Sequence, residues 1–214
     1  MARVSTKERA MANSGPVPLR FTGDDGELVI RLKAGHPGAM EALYDRYAAH
    51  VQRMLVRVMG LDRDLGDLVQ DVFVEAFTHV SAIKDGRALK AWLTTLAIFT
   101  ARQHLRKRRR RRAHWVRDAA DYLDIPVSDM DPSAIEVLRL TYRVLETMPA
   151  DDRIVFSLRF IEGMEITEAA AACRVSVSTL KRRLKRAEKR FSAIAHRFAV
   201  LKELIDESER WRGK

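Results

Sequence analysis

The chain has 214 residues, enough for one domain or for two of modest size. Apolar residues make up 47% and charged residues 32%, with only 10 Gly and 6 Pro, a balance that argues against collagen, disorder and a turn-rich β sandwich and predicts packed helices. A formal charge of +10 asks for an anionic partner, nucleic acid ahead of a lipid surface.

Residues 1–23 show no periodicity and no continuous apolar segment, so they are expected to form a flexible arm, with Met11 as an alternative start. No later apolar run approaches the ~20 residues that cross a bilayer, and Cys173 is the only cysteine, so a reducing, cytoplasmic setting is expected, with Cys173 as an inert core thiol.

From Asp24 to Gly35 an acidic start and a Gly stop predict a short helix. Met40, Leu43, Tyr47, Val51, Met54 and Val58 recur at spacings of three and four and predict a longer one that ends at Gly60. A third, from about Asp62 to His79, turns Leu65, Leu68, Val69, Val72, Phe73 and Ala76 inward and sets Asp67, Asp71 and Glu75 on another face. The Asp-Gly of SAIKDGR, residues 81–87, predicts a turn. A fourth helix then begins with Leu89, Trp92, Leu96 and Phe99 and runs into a basic second half, where eight of the eleven residues from Arg102 to Arg112 are Arg or Lys.

Residues 113–133 hold five Asp and two Pro with weak periodicity, and read as an acidic linker. Helical spacing resumes with Ile135, Leu138, Tyr142 and Leu145, breaks at Pro149, and continues to Gly163. A short helix, ITEAAAAC, is followed by a tight connection at Arg174 to Ser176. A long helix then carries Val177, Leu180, Leu184, Ala187 and Phe191 along one side. The pair predicts a helix-turn-helix. The expected architecture is all-α: two small helical domains, residues 24–112 and 134–194, joined by the acidic linker, with residues 195–214 as a helical extension.

In the long helix Ser176 is placed to cap the N-terminus, leaving Ser178, Thr179, Lys181, Arg182, Arg183, Lys185 and Arg186 beside or opposite the apolar stripe. Arg and Lys can pair with guanine edges, and Ser and Thr with bases or phosphates, so the set suits a major groove. A solvated basic helix is the plainer alternative. Arg174 stands where Gly or Asn is commoner, and a left-handed conformation there costs about 1–2 kcal/mol. The tract at 106–112 suits a sequence-independent nucleic-acid tether, although Thr95 and Gln103 on the same helix could meet an unpaired strand. Asp67, Asp71 and Glu75 lack a His at matching spacing, so a protein-docking face is favoured over a metal site. No Gly-rich phosphate loop or catalytic set emerges, and neither cofactor nor enzymatic activity is expected.

LYDRY (43–47) and DLGDLVQDVFVEAF (64–77) resemble the extracytoplasmic-function branch of the bacterial sigma-70 factors, as do KAWLTTLAIFTARQHLRKRRR (90–110) and the stretch from Met148 to Phe191. The resemblance covers most of residues 24–192. It implies that Asp67, Leu68, Gln70, Asp71 and Glu75 dock on core RNA polymerase. It also implies that Lys84, Asp85, Gly86, Arg87, Thr95, Phe99, Arg102, Gln103 and Arg106 engage the minus-ten promoter element, the 83–87 loop capturing a flipped base. Ser176, Ser178, Thr179, Lys181, Arg182, Arg183, Lys185 and Arg186 would then approach the minus-thirty-five element. Phe99 stands where the family frequently has Asn, and Cys173 and Arg174 where it has an aliphatic residue and Gly. An anti-sigma partner is implied as well. Two other readings remain open on the residues: a free-standing helix-turn-helix regulator that acts without polymerase, and a nuclease or recombinase with a DNA-binding tail.

Overall fold

A computed structural model of the chain describes residues 21–60, 62–83, 85–114 and 131–207; for residues 111–114 it describes the backbone alone. The expected N-terminal arm up to residue 20, most of the expected linker, Lys84 and the chain end after 207 lie outside the described residues.

Among the described residues the regular structure is helical: α1 (Asp25–Lys33), α2 (Ala39–Met59), α3 (Leu65–Thr78), α4 (Leu89–His114), α5 (Pro132–Glu146), α6 (Ala150–Phe156), α7 (Ile166–Cys173), α8 (Val177–Ala195) and α9 (Ala199–Glu207). Local chemistry sets several of these ends. Asp24 caps α1 by accepting from the Glu27 amide at 2.8 Å, Asp131 caps α5 through the Ser133 amide, and Ser176 caps α8 through the Thr179 amide. The helical path of α6 continues through a wider π turn, Ser157–Ile161.

Helices α2, α3 and α4 pack on one another through Leu43, Val51, Leu55, Val72, Phe73, Leu93 and Ala97, all buried, and α1 closes one side. Two residues of the LYDRY stretch make that closure: Arg46 pairs with Asp25 at 2.9 Å, and the Tyr47 hydroxyl donates to the same carboxylate. The second group is built round α8, whose Leu180, Leu184, Ala187 and Phe191 bury against α5, α6 and α7. Phe191 stacks on Phe156 at 4.5 Å, and α9 lies across α5 and α8 through Leu201 and Ile205.

The two helical groups share a face, with α4 packed against α6 and α7. The carbonyls left over at the C-terminal end of α2 find their partners across it. The Tyr142 hydroxyl donates to Val56 O at 3.0 Å and Arg57 O at 3.1 Å, while the Arg153 guanidinium donates to Val58 O at 2.9 Å and to Met59 O. Arg153 is only 2% exposed. Burial lowers its pKa to about 10, offset in part by Glu146, so it stays charged at neutral pH. Gly60, at φ 73°, follows α2, and a Cβ there would lie 2.8 Å from the Tyr142 ring, so this contact depends on a residue without a side chain.

Candidate nucleic-acid interface

Helix α8 begins as the sequence predicts. Arg174 is left-handed, φ 55° and ψ 48°, and is the one non-glycine residue with positive φ among the described residues. Its amide donates to Ala171 O and the Val175 amide to Ala170 O, both at 3.0 Å, so the turn satisfies α7's last carbonyls despite the strain. Ser176 then starts α8, its hydroxyl also bonding to Ser178 and Thr179. Cys173 is buried, and its desolvation raises its pKa to about 11, in keeping with an inert thiol.

The basic residues of α8 divide into two sets. Arg183, Arg186 and Arg190 lie at spacings of three and four on the side facing α6. Arg186 and Arg190 hold the buried carboxylate of Asp152, Arg190 at 3.1 Å, and Arg183 lies 3.4 Å from Asp151. Lys181, Arg182 and Lys185 are exposed and have no ion-pair partner among the described residues; Ser178 is exposed beside them. Geometry therefore splits a set that residue type alone had grouped.

A similar division runs through α4. Its first half is core, with Leu89, Leu93, Ala97, Ile98 and Ala101 buried. Arg102 sits 3.0 Å and Arg106 2.9 Å from Asp151, and Arg102 also donates to Cys173 O. Arg108 reaches Asp62 and Glu146. Phe99, 45% exposed, faces a groove of about 760 Å³ between α3 and α4, with Gln103, Arg106, Lys107 and Arg110 on one wall and Asp71 and Glu75 on the other. An exposed ring beside basic side chains is a surface on which an unpaired base can stack. Thr95 is half-buried, and its hydroxyl donates to Ala91 O.

In the 83–87 loop Asp85 and Arg87 are exposed and paired with each other at 3.2 Å. Hydrogen bonds from the Arg87 amide and guanidinium hold the Asp85 carboxyl below its ordinary pKa. Gly86 departs from the expectation that it faces DNA: it is buried against α1, where a Cβ would lie 2.3 Å from Gly26 Cα, so its role is close backbone packing. On α3, Asp67, Gln70 and Asp71 are exposed and Glu75 is half-exposed, as a docking stripe requires. Leu68 is the exception. It is 4% exposed and supports the stripe from beneath, as the helical periodicity had it, whereas the family resemblance had implied contact with a partner.

Sequence reasoning missed Asp151 and Arg153 and placed Tyr142 only by its helical spacing, because their partners lie on helices remote in the chain and no local spacing announces them. It also missed Asp62, Asp64 and His104, whose ligand atoms lie within 4.8 Å of one another; the Arg108 guanidinium already neutralises Asp62, which disfavours a cation there. No helix among the described residues is long and apolar enough to cross a membrane.

Residues 43–111 match the family model described as sigma-70 region 2, and residues 138–191 match sigma-70, region 4. The chain is 28% identical over 174 residues to the ECF RNA polymerase sigma-E factor of Haemophilus influenzae, covering 76% of this chain and 90% of that one. It is 27% identical over 172 residues to the ECF RNA polymerase sigma-E factor of Escherichia coli K12, with the same coverage. The RNA polymerase sigma-H factor of Pseudomonas aeruginosa is 26% identical over 172 residues, covering 76% and 89%. Among solved structures, CnrH in complex with the cytosolic domain of CnrY has a TM-score of 0.55 at 23% identity, covering 82% of this chain and 99% of that one. RpoE in complex with the anti-sigma factor NepR from Bartonella quintana has a TM-score of 0.54 at 21% identity, covering 73% and 96%. At these identities the two structures bear on the fold alone.

Proposed function

This chain belongs to the sigma-70 family, in its extracytoplasmic-function branch, and from that membership we propose how its surfaces divide the work of a polymerase-directing transcription initiation factor. The exposed carboxylates Asp67, Asp71 and Glu75 dock on a basic face of core RNA polymerase, with Gln70 between them and Leu68 as their support. The groove beside Phe99, with Gln103 and Arg106, accepts the opened minus-ten strand, and the 83–87 loop, with Lys84, Asp85 and Arg87, takes part in capturing a flipped base of that element. The N-terminal turns of α8, with Ser178, Lys181, Arg182 and Lys185 outward, enter the major groove at the minus-thirty-five element. On this reading residues 24–112 and 134–194 are the two functional domains. The chain supplies binding and duplex opening, works in the cytoplasm, and leaves RNA synthesis to the polymerase. An anti-sigma factor, such as the partner in the RpoE structure, is a further expected partner.

The observation that carries this reading is the order of the two family matches along one chain, region 2 over the acidic and aromatic surfaces and region 4 over the capped basic helix. Reconstitution with core polymerase tests it. The expected result is a stable complex that yields transcripts only from promoter templates, with Asp71→Ala weakening the complex while the fold persists. No complex, or tight binding to a dyad operator without polymerase, would defeat it.

A further inference from the structure

Three guanidinium groups converge on Asp151: Arg102 at 3.0 Å and Arg106 at 2.9 Å from α4, and Arg183 at 3.4 Å from α8. Burial alone would raise the Asp151 pKa, but the hydrogen bond from Arg106 and the charges of Arg183 and Arg102 bring it below the ordinary carboxylate value, so Asp151 is ionised. Beside it opens a hollow of about 420 Å³ lined by Arg106, Arg109, Arg110, Pro149, Ala150 and Asp151. Its cationic side chains outnumber the one carboxylate, and it is open to solvent.

These contacts join the helix assigned to the opened strand to the helix assigned to duplex. The two promoter elements are named for positions about 25 base pairs apart, which at 3.4 Å per base pair is about 85 Å along B-form DNA. Helices that share a single carboxylate cannot address both at once. Engagement of a whole promoter therefore separates Arg102 and Arg106 from Asp151 and Arg183, which stay together in the second helical group, and the two α4 arginines so freed need other anions.

We propose that Asp151 is an internal stand-in for a DNA phosphate: it occupies the oxyanion site that Arg102 and Arg106 offer on α4, with Arg183 steadying it from its own side, and promoter phosphodiesters displace it from the α4 pair as the two helical groups part. The inference rests on the promoter-binding reading above. It adds a site for the phosphate backbone and a competitor for that site carried by the chain itself. The ion pair of Arg102 suits exchange. Its Nε lies near the carboxylate but makes no aligned hydrogen bond to it, whereas a phosphate presents oxygens in more directions.

The test uses the full chain without polymerase. Dyes placed by Glu41→Cys on α2 and Glu203→Cys on α9, both exposed, report the distance between the helical groups by energy transfer, while Cys173 is buried. Anisotropy reports binding of a promoter duplex. Asp151→Asn is expected to lower transfer efficiency and to tighten DNA binding about tenfold, as loss of one charge-assisted contact would. Asp151→Glu should restore both readings, and Arg106→Gln in the Asp151→Asn background should give back much of the gain. A second measurement needs no change at Asp151: adding duplex to the otherwise wild-type labelled chain should lower transfer efficiency. Unchanged DNA affinity in folded Asp151→Asn, or full transfer with DNA bound, overturns the proposal. Failure of the promoter-factor reading would instead appear as absence of a complex between the wild-type chain and core polymerase, measured separately by gel filtration.

Discussion

Arg186 holds Asp152 from two sides, its Nε 3.1 and 3.0 Å from the two carboxylate oxygens, and the carboxylate it holds is 0% exposed. A guanidinium so committed fixes α8 against α6 and is poorly placed to leave for a base. Arg186→Gln would leave a buried carboxylate with Arg190 as its remaining ion-pair partner, at 3.1 Å. Because both arginines are near half exposed, the cost is expected between that of an exposed pair and that of a fully buried one, about 1–2 kcal/mol. Thermal unfolding should show this loss while the ranking of promoter variants is retained. A changed ranking with unchanged stability would return Arg186 to the reading surface.

Arg182 provides the contrast, since it is exposed on the outer side of the same helix. Arg182→Ala should leave the melting temperature in place and cost about 1–3 kcal/mol of binding at the preferred sequence if it reads a base. If it meets only phosphate, binding should weaken evenly across sequences and the salt slope should fall by about one. Affinity measured over a series of minus-thirty-five variants at several salt concentrations separates the outcomes, and no change in either quantity would remove Arg182 from the interface.

Arg174 holds a left-handed conformation at φ 55° and is exposed. Relief of about 1–2 kcal/mol of backbone strain in Arg174→Gly is opposed by the greater freedom of Gly in the unfolded chain, so a net gain of about 0.5–1 kcal/mol is expected. Urea unfolding checks it. A loss of stability would mean that the Arg174 side chain contributes more than its backbone strain costs.

His50 should make the fold sensitive to mild acid. Desolvation first, then the charges of Lys90 and Arg53, lower its pKa from 6.5 to about 4. Thr94 Oγ1 donates to Lys90 O, so it accepts a proton from His50 Nε2 at 2.8 Å, and His50 Nδ1 is left to accept from Arg53 at 3.2 Å. The neutral tautomer with its proton on Nε2 follows from that network. An unfolded chain takes up the second proton below about 6.5, whereas the folded one resists until about 4. The contribution is thus present above 6.5 and is lost as pH falls through this window. Urea melts between pH 7.5 and 4 should show a steeper decline for the wild-type chain than for His50→Gln. Equal slopes would place the acid sensitivity elsewhere.

Gly86 and its neighbour Arg87 should separate packing from recognition within one loop. Gly86→Ala would press a methyl group against the Gly26 backbone and is expected to cost about 1–3 kcal/mol, an overpacking penalty visible in thermal unfolding. Arg87→Ala, at a side chain 92% exposed, should leave stability unchanged and weaken binding of single-stranded minus-ten oligonucleotides. Loss of stability in Arg87→Ala alone would reverse these roles.

Much of the helical architecture was legible because a surface helix writes its buried face at a spacing of three and four. Met54 and Val58 on α2, Leu180 and Leu184 on α8, and the Ser176 cap are where the periodicity places them. The tight connection at Arg174 was legible, but its left-handed conformation was not, since Arg stands where Gly or Asn is commoner; the structure decided it. Gly86 and Leu68 differ in what the sequence said of them. A glycine in a turn carries no mark of what approaches it, whereas the periodicity turned Leu68 inward, where it lies, and only the family resemblance had implied contact with polymerase.

The amino-acid sequence by itself determined the helices, their caps, the basic character of α4 and α8 and the acidic stripe of α3, because each of these depends on residues within a few positions of one another. The tertiary structure decided which of those charges face outward. Arg102, Arg106 and Arg183 are drawn to Asp151, Arg186 to Asp152 and Arg153 to the end of α2, while Lys181, Arg182 and Lys185 have no such partner among the described residues. A charge is unspecific in one dimension. Its role follows from the nearest opposite charge or open carbonyl, and only folding brings these within reach.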